Sequence, residues 1–321
     1  MGLAFLLCST RRFQTSDPRD KIIALIGLTR DAEKYSNLTD YSRSIAELYL
    51  EVTGELILAD QSLLLLSSVE DQSDRRLQAL PSWVPDYSVW RQRSILGLPI
   101  RHSRYGAATA IPTTARWSPG SFDLHVDGVC HDQIEAVTTN SLDNSATAHK
   151  FVLQCLGLSD PLLRRGTVTI DSIWRTLIGN TGGNTYPAPE MYREYFRSYL
   201  SRLSARRSPF QKMLMANDDL SGFVSAWRKN PKAPNDQLYQ AALAYTAAYR
   251  KYFTTVRGTI ELGPRSMRPG DLVCILSGGH TPFILRQDGT NYRLVGEAYV
   301  HGVMDGQAIW RDMRLEEFRI R

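Results

Sequence analysis

The run GEAYVHGVMDG packs Glu297, Tyr299, His301, Met304 and Asp305 into one strand and turn. In a strand, residues i, i+2 and i+4 share a face, so Glu297, Tyr299 and His301 are expected together. A carboxylate, a phenol and an imidazole so placed could orient a carbonyl or relay a proton. This makes His301 and Tyr299 candidate catalytic residues, with Glu297 and Met304 as substrate contacts. His280 follows two glycines in SGGHTPF, a turn between strand-like runs, and is a third catalytic candidate. The plain alternative for each is a turn or edge residue whose hydrogen bonds are satisfied.

Trp83, Tyr87 and Trp90 lie within eight residues of LPSWVPDYSVW, where two prolines exclude a helix interior. Stiffened aromatics with polar tips can wall a ligand pocket, or can simply seal helices onto a sheet. His125 and His131 are six apart beside Asp132, without a third residue at metal-ligand spacing. The chain contains no G-x-S-x-G, P-loop, G-x-G-x-x-G, H-E-x-x-H or C-x-x-C sequence. No metal, nucleotide or other cofactor is therefore expected, and the expected ligand is a small hydrophobic metabolite, not nucleic acid.

The elements that must position these residues fall into three zones. Asp17 to Arg30 and Ser42 to Ala59 have helical spacing of apolar residues, the first with Asp17 and Pro18 as a start signal. Residues 1–96 thus read as a helical region closed by the Trp/Pro segment. Residues 97–120 read as loop, and 122–137 alternate as a strand, bent at Gly128. Helical spacing returns over 143–250, and short strand-like runs punctuated by PG, GG, DG and HG fill 252–310. The expected class is α+β: residues 97–321 as a small β-barrel from strands near 122–137 and 252–310, carrying a long helical insertion at 143–250.

At 321 residues, one or two domains are expected. The 43% apolar and 22% charged content is ordinary for a globular chain, and the net charge of +5 is spread along it. Four distant cysteines make no disulfide framework and read as reduced. No apolar run is long enough to span a membrane, and the apolar start precedes its arginines, opposite to a secretory signal. A cytoplasmic location is expected.

SDPRDKIIALIGL, DYSRSIAELY, LPSWVPDYS, WRTLIGN, YFTTVRGTIELGP, GDLVCILSGGHTPFILR and LVGEAYVHGVMDG, in this order, resemble the fungal heterokaryon-incompatibility (HET) family. The resemblance implies a role around non-self recognition and cell death. It places these motifs in the region that follows a TIR-like HET domain, which this chain is expected to lack. Three positions depart from the family pattern: Glu261 replaces a usual Gly, Gln307 a usual acid, and Lys251 a commoner Arg. Glu261 thereby joins the candidate substrate contacts.

Two functions follow as expectations. One is a non-enzymatic regulatory or recognition protein of the incompatibility system. The other, to which the expected lack of the HET domain tilts the reading, is a cofactor-independent cyclase of fungal specialised metabolism, the reaction class that the missing cofactor motifs leave. It would fold a polyene, terpenoid or polyketide for a Diels–Alder type closure by preorganisation alone.

Overall fold

Ser44 precedes the apolar spacing of Ile45–Asp60 and caps it. In the computed structural model of the chain, its hydroxyl accepts the Glu47 N–H at 3.2 Å, and the Glu47 carboxylate accepts the Ser44 N–H at 3.0 Å. Two orphan donors of the first turn are satisfied reciprocally. This helix (α3) follows α1 (Leu3–Ser9) and α2 (Asp20–Ile26) and precedes the short α4 (Leu64–Ser67). The apolar start is thus a helix, which buries Leu3, Ala4, Leu7 and Cys8. The structure describes residues 2–29, 32–90, 94–98, 105–108, 111–144, 146–183, 185–206, 208–225, 236–309 and 313–321.

The class is α+β. Strand β1 (Leu124–Val137) leads into the helices α5 (Ala148–Arg164), α6 (Ile170–Leu177), α7 (Met191–Arg206), α8 (Ser208–Ala216), α9 (Asp218–Ser225) and α10 (Gln237–Thr246). They fill the helical insertion expected at 143–250. Strands β2 (Arg250–Thr255), β3 (Ile260–Pro264), β4 (Leu272–Leu276), β5 (Phe283–Asp288), β6 (Asn291–Glu297), β7 (Tyr299–Val300) and β8 (Glu316–Ile320) follow. The chain divides into two compact units. One holds residues 1–131, 271–298 and 302–321, the other 132–270 and 299–301.

In the first unit the strand order is β4-β5-β6-β8-β1, and β4 also pairs with β1, so five strands form a ring. β8 is antiparallel to the first half of β1, with Leu124 opposite Ile320 and Gly128 opposite Glu316. It lies beyond the strands expected from the sequence. The core shows period two throughout: Leu124 and Val126, Cys274 and Leu276, Phe283 and Leu285, Phe318 and Ile320 all enter one buried cluster. Leu48, Val52 and Leu56 of α3, Leu64 to Leu66 of α4, and Trp83 pack into the same cluster.

The expected bend at Gly128 does not occur there. β1 runs through it, and its irregularity lies between Ile134 and Ala136. The glycine is needed because β4 passes so close: a Cβ at 128 would sit 2.4 Å from the Ile275 carbonyl oxygen. A backbone oxygen cannot swing aside as a side chain can. Gly128→Ala is therefore expected to cost about 1–3 kcal/mol, the usual penalty of overpacking, read as a lower urea midpoint with unchanged m-value.

In the second unit the other half of β1 pairs with β2 (Val137 opposite Phe253), β2 with β3, and β3 with β7. The strands expected at 252–310 are thus divided between the two units of one eight-stranded sheet to which β1 contributes both its halves. The helices bury an aromatic core here. The Phe196 and Tyr239 rings are 5.0 Å apart, and the Tyr239 hydroxyl donates to the Trp174 carbonyl at 3.0 Å. Among the described residues no helix is long and apolar enough to cross a membrane.

Candidate functional site

The LPSWVPDYS segment is held from below by buried charge. Glu70 receives Arg75 at 2.8 Å and Arg11 at 3.4 Å, and its Oε2 also accepts the Asp86 N–H at 2.9 Å. The Arg75 guanidinium donates to the carbonyls of Leu80 and Pro81 at 3.0 Å and of Val84 at 2.6 Å. Prolines leave such carbonyls without a helical or ladder partner, and the arginine supplies one. The Asp86 carboxylate in turn accepts the backbone N–H groups of Arg76, Leu77 and Ser88.

On this segment Trp83 and Tyr87 are core residues, at 0% and 1% exposure. The Trp83 Nε1–H donates to the Phe122 carbonyl at 2.9 Å, and its ring lies edge-on to Trp117 at 6.4 Å. Tyr87 lies 3.2 Å from the Thr53 hydroxyl and edge-on to Tyr49. Trp90, by contrast, is 62% exposed. The three aromatics therefore do not form a common wall.

Glu297, His280 and Met304 meet at a different place in the first unit, around the described parts of the loop after Trp90. The buried Glu297 carboxylate accepts the Leu96 N–H at 3.0 and 3.1 Å and the Gly97 N–H at 3.2 Å. His280 Nδ1 lies 3.2 Å from the Tyr105 carbonyl, and the His280 carbonyl accepts the Ala107 N–H at 3.1 Å. The Met304 carbonyl accepts the Gly106 N–H at 2.7 Å. Gly97 permits this close fit, since a Cβ there would lie 2.8 Å from the Ser67 hydroxyl. Here these residues hold backbone in place.

The strand expected to align Glu297 with Tyr299 and His301 is broken at Ala298. The Ala298 N–H goes to the Pro282 carbonyl at 2.9 Å, whereas Tyr299 stands opposite Leu262. Glu297 thus belongs to the first unit, and Tyr299 and His301 to the second. Alternation survives only for the last two: the Tyr299 hydroxyl lies 3.0 Å from His301 Nδ1. Burial, and then the Arg175 charge, hold the His301 imidazole below its ordinary range. A neutral ring suits Nδ1 as acceptor for the phenol.

Glu261 opposes Val300 in the register of β3 and β7, so it projects from the other face to Leu262 and Tyr299. Its side chain is fully buried; Oε1 accepts the Thr259 hydroxyl at 2.9 Å, and Oε2 has no partner. Burial pushes its pKa up to about 8, against the Thr259 hydrogen bond and with help from the nearby Asp132 charge. At neutral pH it is an uncharged acid. Of the other sequence candidates, His125 places Nδ1 3.1 Å from Glu317. No group of three or more His, Cys, Asp or Glu among the described residues is arranged to hold a metal.

Four clefts can be described. The largest, about 760 Å³, has Trp90 in its wall; the other eight candidate site residues line none of the four. A cleft of about 300 Å³ in the second unit has an apolar floor of Leu142, Leu203 and Leu243 and a rim that includes Arg202 and His149. Arg11, Glu70, Arg75 and Asp86 carry no group signal in the sequence: Arg11 is 59 residues from Glu70, and the five-residue step from Glu70 to Arg75 is neither helical nor strand spacing.

Residues 176–320 match the family model of the Het-6 beta-barrel domain. The Heterokaryon incompatibility protein 6, OR allele, of Neurospora crassa is 22% identical over 91% of this chain and 49% of its own length. The chain is thus similar to heterokaryon-incompatibility proteins, through its C-terminal domain and through this relative. It spans about half the length of this curated relative. No solved structure matches it. The region matched by the family model includes β2 to β8, and with them Glu261, His280, Glu297, Tyr299, His301 and Met304.

Proposed function

We propose that the chain serves as a recognition module of heterokaryon incompatibility, acting by contact and without turnover chemistry of its own. The observation that carries this reading is the similarity of 91% of the chain to a heterokaryon-incompatibility protein. The loop geometry supports it. The Glu297 carboxylate holds the Leu96 and Gly97 N–H groups, and the Met304, His280 and Gly279 carbonyls hold those of Gly106, Ala107 and Ala108; backbone so held on a rigid scaffold presents one surface at low entropic cost. The cyclase reading draws less support, because Trp83 and Tyr87 pack into a core and Glu297, Met304 and His280 are engaged with backbone.

Allele-specific cell death is the test. The gene should be deleted in one of two fungal strains that are incompatible with each other, and dye uptake scored in fused hyphae. Loss of death in that pairing, restored by the full gene and unchanged in compatible pairings, is expected. Equal death with and without the gene would sink the proposal.

A further inference from the structure

The largest of the four described clefts lies in the first unit, between the segment that follows α1 and the segment that includes Trp90. Arg11, Arg12, Lys21 and Arg76 line it, and among the described residues no carboxylate does. Two large rings, Phe13 at 68% and Trp90 at 62% exposure, stand in the same wall, with Gln14, Thr15 and Ser88 beside them. One exposed ring is unremarkable on a protein surface. Two in one cleft with four cations need an occupant that is both flat and anionic.

The cations are not equivalent. Arg11 is buried, and its Nη2 is spent on Glu70 and on the Asp86 carbonyl at 2.8 Å. Arg12 and Arg76 are exposed on the lip. Lys21 sits deeper, with Nζ on the Phe13 carbonyl. Burial and the neighbouring Arg11 charge lower its pKa, an electrostatic deficit that a bound anion would relieve.

We propose that this cleft binds a nucleoside phosphate. The phosphates meet the guanidinium groups of Arg12 and Arg76, whose planar forks suit phosphate oxygens, with Lys21 behind them. The base stacks on Trp90 or Phe13, and the Thr15 hydroxyl faces the sugar; the Ser88 hydroxyl is donated to the Asp86 carboxylate. The volume of about 760 Å³ falls within the usual range for small-molecule sites. A site built from side chains on two distant segments carries no glycine-rich phosphate signature, which is why the sequence shows none.

The test uses the full chain, with ADP, pyrophosphate, adenosine and a 12-nucleotide single strand as separate titrants, followed by calorimetry and tryptophan fluorescence. ADP should bind at least 10-fold more tightly than pyrophosphate or adenosine and quench fluorescence. The R12A/R76A double variant should weaken ADP at least 10-fold without changing its circular dichroism. W90A or F13A should weaken it by about 5-fold or more, as expected from loss of a stacked base. Pyrophosphate binding as tightly as ADP would overturn the proposal, leaving a mere anion patch. So would an ADP affinity untouched by all these variants, binding of the single strand alone, or no ADP binding at 1 mM.

Discussion

Glu70→Ala is expected to cost about 3–5 kcal/mol, the scale measured when one partner of a buried ion pair is removed. The side chains of Glu70, Arg11 and Arg75 are 1%, 4% and 8% exposed. Loss of the carboxylate strands two guanidinium groups in the core and frees the Asp86 N–H. It also releases the arginine that satisfies the Leu80, Pro81 and Val84 carbonyls, so Trp83 and Tyr87 lose their fixed backbone. Urea unfolding at pH 7 should give the shift, with changed near-ultraviolet dichroism from the released aromatics. Glu70→Gln, which keeps an acceptor for the Asp86 N–H, should fall between the two. A Glu70→Ala variant within 1 kcal/mol of the parent would show that the cluster is not what holds this segment.

Glu261→Gln should act in the opposite direction, stabilising the protein above neutral pH. The folded carboxyl titrates near pH 8 and the unfolded one near 4.5. Below pH 4.5 both states hold the proton and the wild-type residue costs nothing. Between about 4.5 and 8 the unfolded state releases its proton first, so stability falls as pH rises. Above 8 the whole penalty is present, with an upper limit of about 5 kcal/mol from the separation of the two pKa values. Gln cannot ionise, and it offers an amide to the Thr259 hydroxyl. The stability gap between Glu261→Gln and wild type should therefore widen from pH 4.5 to 8 and then level off. A gap independent of pH would show that Glu261 is already charged in the folded protein.

Local signals were legible where the chemistry is local. The apolar spacing from Ser42 to Ala59 announced the helix α3, alternation announced β1, and short runs between turn signals announced β4 and β5. β8 was hidden because only Phe318 and Ile320 of EEFRI face the core, too few for a pattern. Alternation over Glu297, Tyr299 and His301 failed because it assumes one continuous strand, and the Ala298 N–H turns to Pro282 instead. The Arg11–Glu70–Arg75 cluster joins residues through space, so no spacing could show it. Trp83 and Trp90 look alike in sequence, yet the first turns its Nε1–H inward to the Phe122 carbonyl and the second is 62% exposed. Glu261 was noticed through the family pattern, but its uncharged state depends on burial that no residue count reveals.

Leu124 stands opposite Ile320 in the strand ring, so nearly 200 residues separate the two sides of that ladder. A ribosome adding about 5–20 residues per second needs ~10–40 s to cover that distance. During this interval β1 has emerged with an unpaired, apolar edge and no β8 to close it. The nascent chain is then most exposed to aggregation and most in need of a chaperone. Slower translation of the α5–α10 stretch would lengthen that window, so the rate of synthesis between these two strands, more than final stability, should govern how much of the protein a cell recovers intact.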